Sequence, residues 1–171
     1  MDDETRLLIA AADGDRLALS AFVRATQSDV WRFCAHLVDR DAADDLTQEV
    51  YLRAMRSVPT FRGDSRARTW LLAVARNVAV DEIRRRQRHR RLAAPHHRDT
   101  PDATDAVAVR HLIAELPLPR REAFVLTQLL GFNYQDAARA AGVPVGTIRS
   151  RVARARQSLL AALDDAESAG A

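Results

Sequence analysis

Residues Tyr134 to Ala155 constrain the fold more than any other stretch of the chain. Ala138 is small where two helices would cross closely. Gly142 follows four residues later, where a sharp turn needs a backbone conformation that other residues avoid. Ile148 comes six residues after that, placed to plug the space between the helices. A short helix, a glycine turn and a second helix make the helix-turn-helix pattern. On a wheel of about 100° per residue with Ile148 at the origin, Val152, Ala155, Leu159 and Leu163 fall within about 60° and form an apolar stripe. Thr147, Ser150 and Arg154 fall on the opposite face, near the start of the helix, where a recognition helix meets base edges. Arg151 lies at the edge of that face. Arg149 and Arg156 flank the apolar stripe and suit phosphate contact. Arg154 is the best placed for a bidentate contact to guanine. A surface helix with scattered Arg is the plain alternative.

The rest of the chain reads as helical too. Aromatic residues are only 5% of the 171, while Ala, Leu and Arg abound, a composition that favours helix over strand. The expected fold is all-α, with two small helical domains joined by a flexible linker. Gln87–Ala106 reads QRHRRLAAPHHRDTPDATDA, a linker composition. It divides the chain into domains at 1–86 and 107–171. In the first domain, Arg16–Val38 carries apolar residues at helical spacings, in one helix or two. Asp45 is a candidate N-cap with Gln48 three residues on, a capping-box arrangement opening a helix to Arg56. Pro59, Gly63, Asp64 and Ser65 make a loop, and a long helix follows from Thr69 to about Arg86. In the second domain, Arg120–Leu130 is a helix with Gly131 as a C-cap candidate. Asn133 caps a helix to Ala141, and Val145 to about Leu163 is the last helix.

Charge is divided along the chain. All 26 basic residues are Arg. Residues 1–52 hold 5 Arg and 11 acidic residues, while residues 53–91 hold 12 Arg and 3 acidic residues. The second block has the footprint of a nucleic-acid surface, or of a solvated helix end. The first would be repelled by DNA, so it should face another partner. The lone Cys34 excludes an internal disulfide and reads as a core residue. The acidic N-terminus lacks a signal-peptide h-region, and the longest apolar run, Trp70–Ala75, is far too short for a membrane span. The expectation is a cytoplasmic protein without membrane insertion.

Two blocks resemble the extracytoplasmic-function (ECF) class of bacterial sigma factors, the smallest form of the sigma-70 family. One is Asp44-Asp45-Leu46-Thr47-Gln48-Glu49-Val50-Tyr51-Leu52-Arg53-Ala54, followed by Phe61-Arg62-Gly63-Asp64-Ser65 and Thr69-Trp70-Leu71. The other is Leu116-Pro117, Arg121-Glu122-Ala123-Phe124, Gly131, Tyr134 and Pro144-Val145-Gly146-Thr147-Ile148-Arg149-Ser150-Arg151. The resemblance implies an RNA polymerase specificity subunit without catalytic residues, cofactor or metal. It implies core polymerase docking by Asp44, Asp45, Gln48, Glu49 and Leu52. It implies promoter opening at the minus-10 element by Phe61, Arg62, Gly63, Asp64 and Ser65, the loop that would capture a flipped base. Trp70, Asn77 and Arg84 stand seven residues apart, so they share one helix face with only about 20° of drift per step. They suit stacking, base-edge and phosphate contact, with Arg76 nearby for the backbone. Trp70 also suits a core position. The second domain would read the minus-35 element through Thr147, Arg149, Ser150, Arg151, Arg154 and Arg156. Many relatives are held by an anti-sigma factor, which makes one a candidate partner here. Free of polymerase, the two domains are expected to pack together and hide their DNA faces.

Other chemistry fits poorly. His96, His97, Asp99 and His111 lack fixed metal geometry, and Asp44 with Asp45 point apart as a carboxylate pair. A stand-alone helix-turn-helix regulator would need a dimer interface and a palindromic site, and leaves Phe61–Ser65 without a role. A nucleic-acid-modifying enzyme would need metal or nucleophile motifs.

Overall fold

The computed structural model describes residues 1–92 and 105–169. Eight α-helices fill them, and no strand occurs among the described residues. The first four are α1 (Asp3–Ala12), α2 (Arg16–Leu37), α3 (Arg40–Ser57) and α4 (Ala67–Leu92). The next four are α5 (Asp105–Glu115), α6 (Leu118–Phe124), α7 (Tyr134–Ala141) and α8 (Val145–Ala169). A 3-10 turn at Val58–Thr60 follows α3, and a π-helical segment at Val125–Leu129 continues α6.

Short acidic or amide side chains start the helices. Asp2, Asp15, Asp39 and Asn133 each accept a backbone N–H of the helix that follows, which satisfies donors that have no partner within the helix. The expected capping box at Asp45 and Gln48 does not form. Asp39 caps α3 instead, through the Ala42 N–H at 2.9 Å, and Asp45 sits in the second turn. Packing explains the earlier start: Ala43 is fully buried and extends the stripe of Leu46, Val50 and Ala54 by one more turn.

Helix α4 also outruns its expected end. It continues past Arg86 to Leu92, so the first part of the expected linker is helical. Ion pairs of Glu82 with Arg85 and Arg86, and of Arg86 with Asp39, hold the turn just before that extension. Residues 93–104, with His96, His97 and Asp99, lie outside the described residues. Helix α5 falls where no helix was expected. Its anchor is Ile113, only 3% exposed.

The buried stripe of α8 is shorter than the wheel predicts. Ile148, Val152 and Ala155 are buried, Leu159 is half-buried and Leu163 is exposed. The helix outruns α6 and α7, which cover its first half. Arg16–Val38 proves to be one helix, packed over a core of Phe22, Val30, Phe33 and Leu37 with Leu71 and Leu72 from α4. Cys34 belongs to that core, and burial pushes its thiol up to about 12. The buried residues of both halves form one continuous cluster.

Candidate nucleic-acid and polymerase interfaces

The acidic face lies on α3. Asp45, Gln48 and Leu52 are exposed and recur at helical spacing along one side. Leu52 is 57% exposed and borders a shallow apolar groove of about 360 Å³ with Val23, Tyr51 and Met55. Asp44 and Glu49 flank this line. Asp44 accepts from the Trp31 indole N–H at 2.7 Å, and Glu49 pairs with Arg53 at 2.6 Å.

The loop at Phe61–Ser65 joins the 3-10 turn to α4. Phe61 packs against Trp70 with ring centroids 5.4 Å apart. Both rings are half-buried, so Trp70 keeps one side in the core and one outside. Gly63 has φ +78°, a conformation that makes glycine the fitting residue there. Arg62 and Asp64 are exposed. Along α4, Asn77 and Arg84 are exposed, in line with Trp70 at seven-residue steps.

The helix-turn-helix follows its sequence signals closely. Asn133 Oδ1 caps α7 by accepting the Asp136 N–H at 2.8 Å. Gly142 closes it at φ +66°, and the Val143 N–H returns to the Ala138 carbonyl at 3.0 Å, a Schellman ending. On α8, Arg149, Ser150, Arg154 and Arg156 are exposed, while Thr147 and Arg151 are half-buried. The guanidinium groups of Arg149 and Arg154 have no partner among the described residues. Arg156 donates to Gln128 Oε1 at 2.6 Å.

The two halves meet along α4 and the end of α2, through arginines. Each half caps a helix C-terminus of the other. Arg121 donates to the Leu37 carbonyl at the end of α2 at 3.0 Å. Arg32 and Arg68 donate to the Leu129 and Leu130 carbonyls at the end of the π-helical segment, at 2.9 and 2.7 Å. A π-turn leaves such carbonyls open, and a cation there also meets the negative end of the helix dipole. The Arg68 guanidinium further stacks 4.5 Å from the Phe132 ring. Two ion pairs complete the seam: Arg66 with Asp136 at 3.2 Å, and Arg76 with Glu122.

Burial pushes the Glu122 carboxyl above its ordinary range, and the Arg76 charge only partly offsets this. Burial lowers the Arg121 guanidinium, which meets only carbonyls. Thus Arg76, expected beside DNA, is held by the opposite half. The packing hides only part of the basic surface, because the polar face of α8 stays open. Arg66, Arg68, Glu122 and Arg121 had no local signal for this role, since their partners lie between 62 and 84 residues away, or 46 for Arg76 with Glu122. No cluster of metal-ligating side chains occurs among the described residues.

The fold and its surfaces define a two-part helical protein with a basic loop-and-helix face and a helix-turn-helix. The Sigma-70 region 2 profile matches residues 22–89, and the Sigma-70 region 4 profile matches residues 106–159. The chain belongs to the sigma-70 family of RNA polymerase sigma factors, in its ECF class. It is 54% identical to ECF RNA polymerase sigma factor SigC of Mycobacterium tuberculosis over 170 residues, covering 94% of this chain and 92% of that one. It is 39% identical to the sigma factor EcfG of Rhodopseudomonas palustris over 139 residues, covering 76% and 77%. Among solved structures it resembles sigma factor RpoE in complex with the anti-sigma factor NepR from Bartonella quintana. That likeness has a TM-score of 0.74 at 27% identity, over 85% of this chain and 96% of that one. No helix among the described residues is long and apolar enough to cross a membrane.

Proposed function

We propose that this sigma factor divides its work among three surfaces. The α3 face, with Asp44, Asp45, Gln48, Glu49 and Leu52, docks on core RNA polymerase. The loop Phe61–Ser65, with Trp70, Arg76, Asn77 and Arg84, opens the promoter at the minus-10 element. The start of α8, with Thr147, Arg149, Ser150, Arg151, Arg154 and Arg156, reads the minus-35 duplex. In this reading the polymerase carries out the chemistry and the chain supplies recognition, as a non-enzymatic cytoplasmic subunit. An anti-sigma protein is a candidate third partner, as NepR is for the Bartonella relative.

The observation that supports this best is the helix pair around Gly142. A left-handed glycine turn is followed by an α8 whose exposed polar residues lie opposite its buried Ile148 and Val152. That geometry suits insertion into a major groove. The free chain keeps Arg66, Arg68 and Arg76 against its own C-terminal half. The promoter backbone would need Arg76, so minus-10 capture requires the halves to part, while the minus-35 face is available beforehand.

Mixing the purified chain with sigma-free core polymerase and separating by size tests the assignment. A stoichiometric complex that then transcribes from a selected promoter is the expected result. A stable homodimer that binds palindromic DNA and ignores polymerase would sink it.

A further inference from the structure

Helix α1 lies outside the residues matched by the region 2 profile, which begins at residue 22. It nevertheless contacts the middle of the loop assigned above to the minus-10 element and the residue that opens the helix after it. Thr5 is only 4% exposed. Its Oγ1 accepts a hydrogen bond from the Ala67 N–H, the first residue of α4, at 3.0 Å. The same hydroxyl donates to Asp2 Oδ1 at 2.6 Å, and that oxygen also accepts the Thr5 N–H at 2.9 Å. The other Asp2 oxygen lies 3.7 Å from Arg66 Nε. At the middle of the loop, Ile9 covers Gly63. A Cβ placed on that glycine would come within 3.2 Å of Ile9 Cδ1.

The first N–H groups of a helix need acceptors, and a side chain just before the helix is the usual source. A local cap moves with its own helix. Here a cap comes from 62 residues away in sequence, on a separate element. It ties the start of α4 to α1, while Ile9 sets the height of Gly63. Asp64, Ser65 and Arg66 are bracketed between the two contacts. Capturing a base that has left the stack requires a pocket of fixed shape, so a loop whose second half is anchored on either side is preorganised for it.

We infer that α1 positions the minus-10 loop, with Thr5 and Ile9 as positioning residues that act through Ala67 and Gly63. This inference rests on the assignment of Phe61–Ser65 to the minus-10 element. Thr5 touches no DNA in this scheme; its hydroxyl acts on the loop backbone alone.

The test uses full-length chains reconstituted with core polymerase. Promoters are drawn from a library randomised at the minus-10 element. Thr5→Val keeps the shape and removes the hydroxyl, Thr5→Ser restores it, and Ile9→Ala uncovers Gly63. The readouts are the ratio of initiation on matched and substituted minus-10 elements, thymine unpairing there by permanganate, and polymerase affinity. Thr5→Val should lower the ratio roughly fivefold, the worth of about one buried hydrogen bond, and Ile9→Ala should lower it as well. Thr5→Ser should stay near the parent, and polymerase affinity should not change. The inference is overturned if Thr5→Val keeps the ratio while Arg62→Ala and Asp64→Ala lower it. If those loop variants also leave the ratio unchanged, the minus-10 assignment fails first and the inference falls with it. An equal loss of polymerase binding and discrimination in Thr5→Val and Ile9→Ala would reduce α1 to a stability element, and also overturns it.

Discussion

Arg154 and Arg76 are the same residue type in opposite situations. The Arg154 side chain is exposed on α8, and its guanidinium meets no acceptor among the described residues. Arg76 is paired with a carboxylate that is 3% exposed. An unpaired surface guanidinium is already hydrated and pre-formed for a planar, bidentate acceptor. Placing it against guanine needs no other contact to break. Replacing Arg154 by Ala should therefore remove discrimination worth about 1–3 kcal/mol at one base pair of the minus-35 element. Polymerase affinity should stay as it was. Competition binding on single-base duplex variants measures the first, and size-exclusion titration with core polymerase the second. Asp45→Ala and Gln48→Ala should show the reverse pattern. A loss of polymerase binding by Arg154→Ala, with the fold intact, would mean the surfaces are wrongly assigned.

At the scale of elements, the turn at Gly142 makes the best-defined demand on the backbone. Its φ is +66°, and a Cβ there would meet nothing within 4 Å. Substitution by Ala therefore brings backbone strain without any clash. The strain of a left-handed alanine is about 1–2 kcal/mol. For a chain of this length that corresponds to a Tm lower by a few degrees. Gly142→Asn should lose less, because asparagine tolerates this conformation. Thermal melts followed by circular dichroism check both, and equal losses would mean that the turn is not the source. This turn was legible because its determinants are local: Asn133, Ala138, Gly142 and Ile148 lie within sixteen residues. The start of α3 was not legible in the same way. Asp45 reads as the cap, and the earlier start at Asp39 is set by Ala43, whose burial depends on the packed α2 and α4. Helix α5 is short and draws its stability from Ile113 in the core, so propensity alone could not announce it. The α1 contacts with Ala67 and Gly63 escaped notice because they join residues more than fifty positions apart.

At the scale of the whole molecule, the seam couples the two halves to pH through Glu122. This carboxyl is nearly enclosed, faces Arg76 from α4 and feels the more distant Arg151 of α8. Burial outweighs both cations, so its pKa in the closed form lies above the ordinary 4.5. A carboxyl with a higher pKa in the closed form takes up a proton on closing, so closure strengthens as pH falls. The strengthening begins near the raised value and is complete below the ordinary one. Above the raised value the buried charge opposes closure. The parted form, with Arg76 released for the promoter backbone, is therefore favoured on the alkaline side. Glu122→Gln keeps an acceptor for the Arg76 N–H and carries no charge to desolvate. Arg76 remains one-third exposed and can stay hydrated. The variant should remain closed and lose the pH dependence. Small-angle X-ray scattering on the isolated chain, between about pH 5 and pH 8, reads this as the radius of gyration. The parent should expand as pH rises, and Glu122→Gln should stay compact throughout. The same slope in both chains would show that Glu122 does not govern the seam.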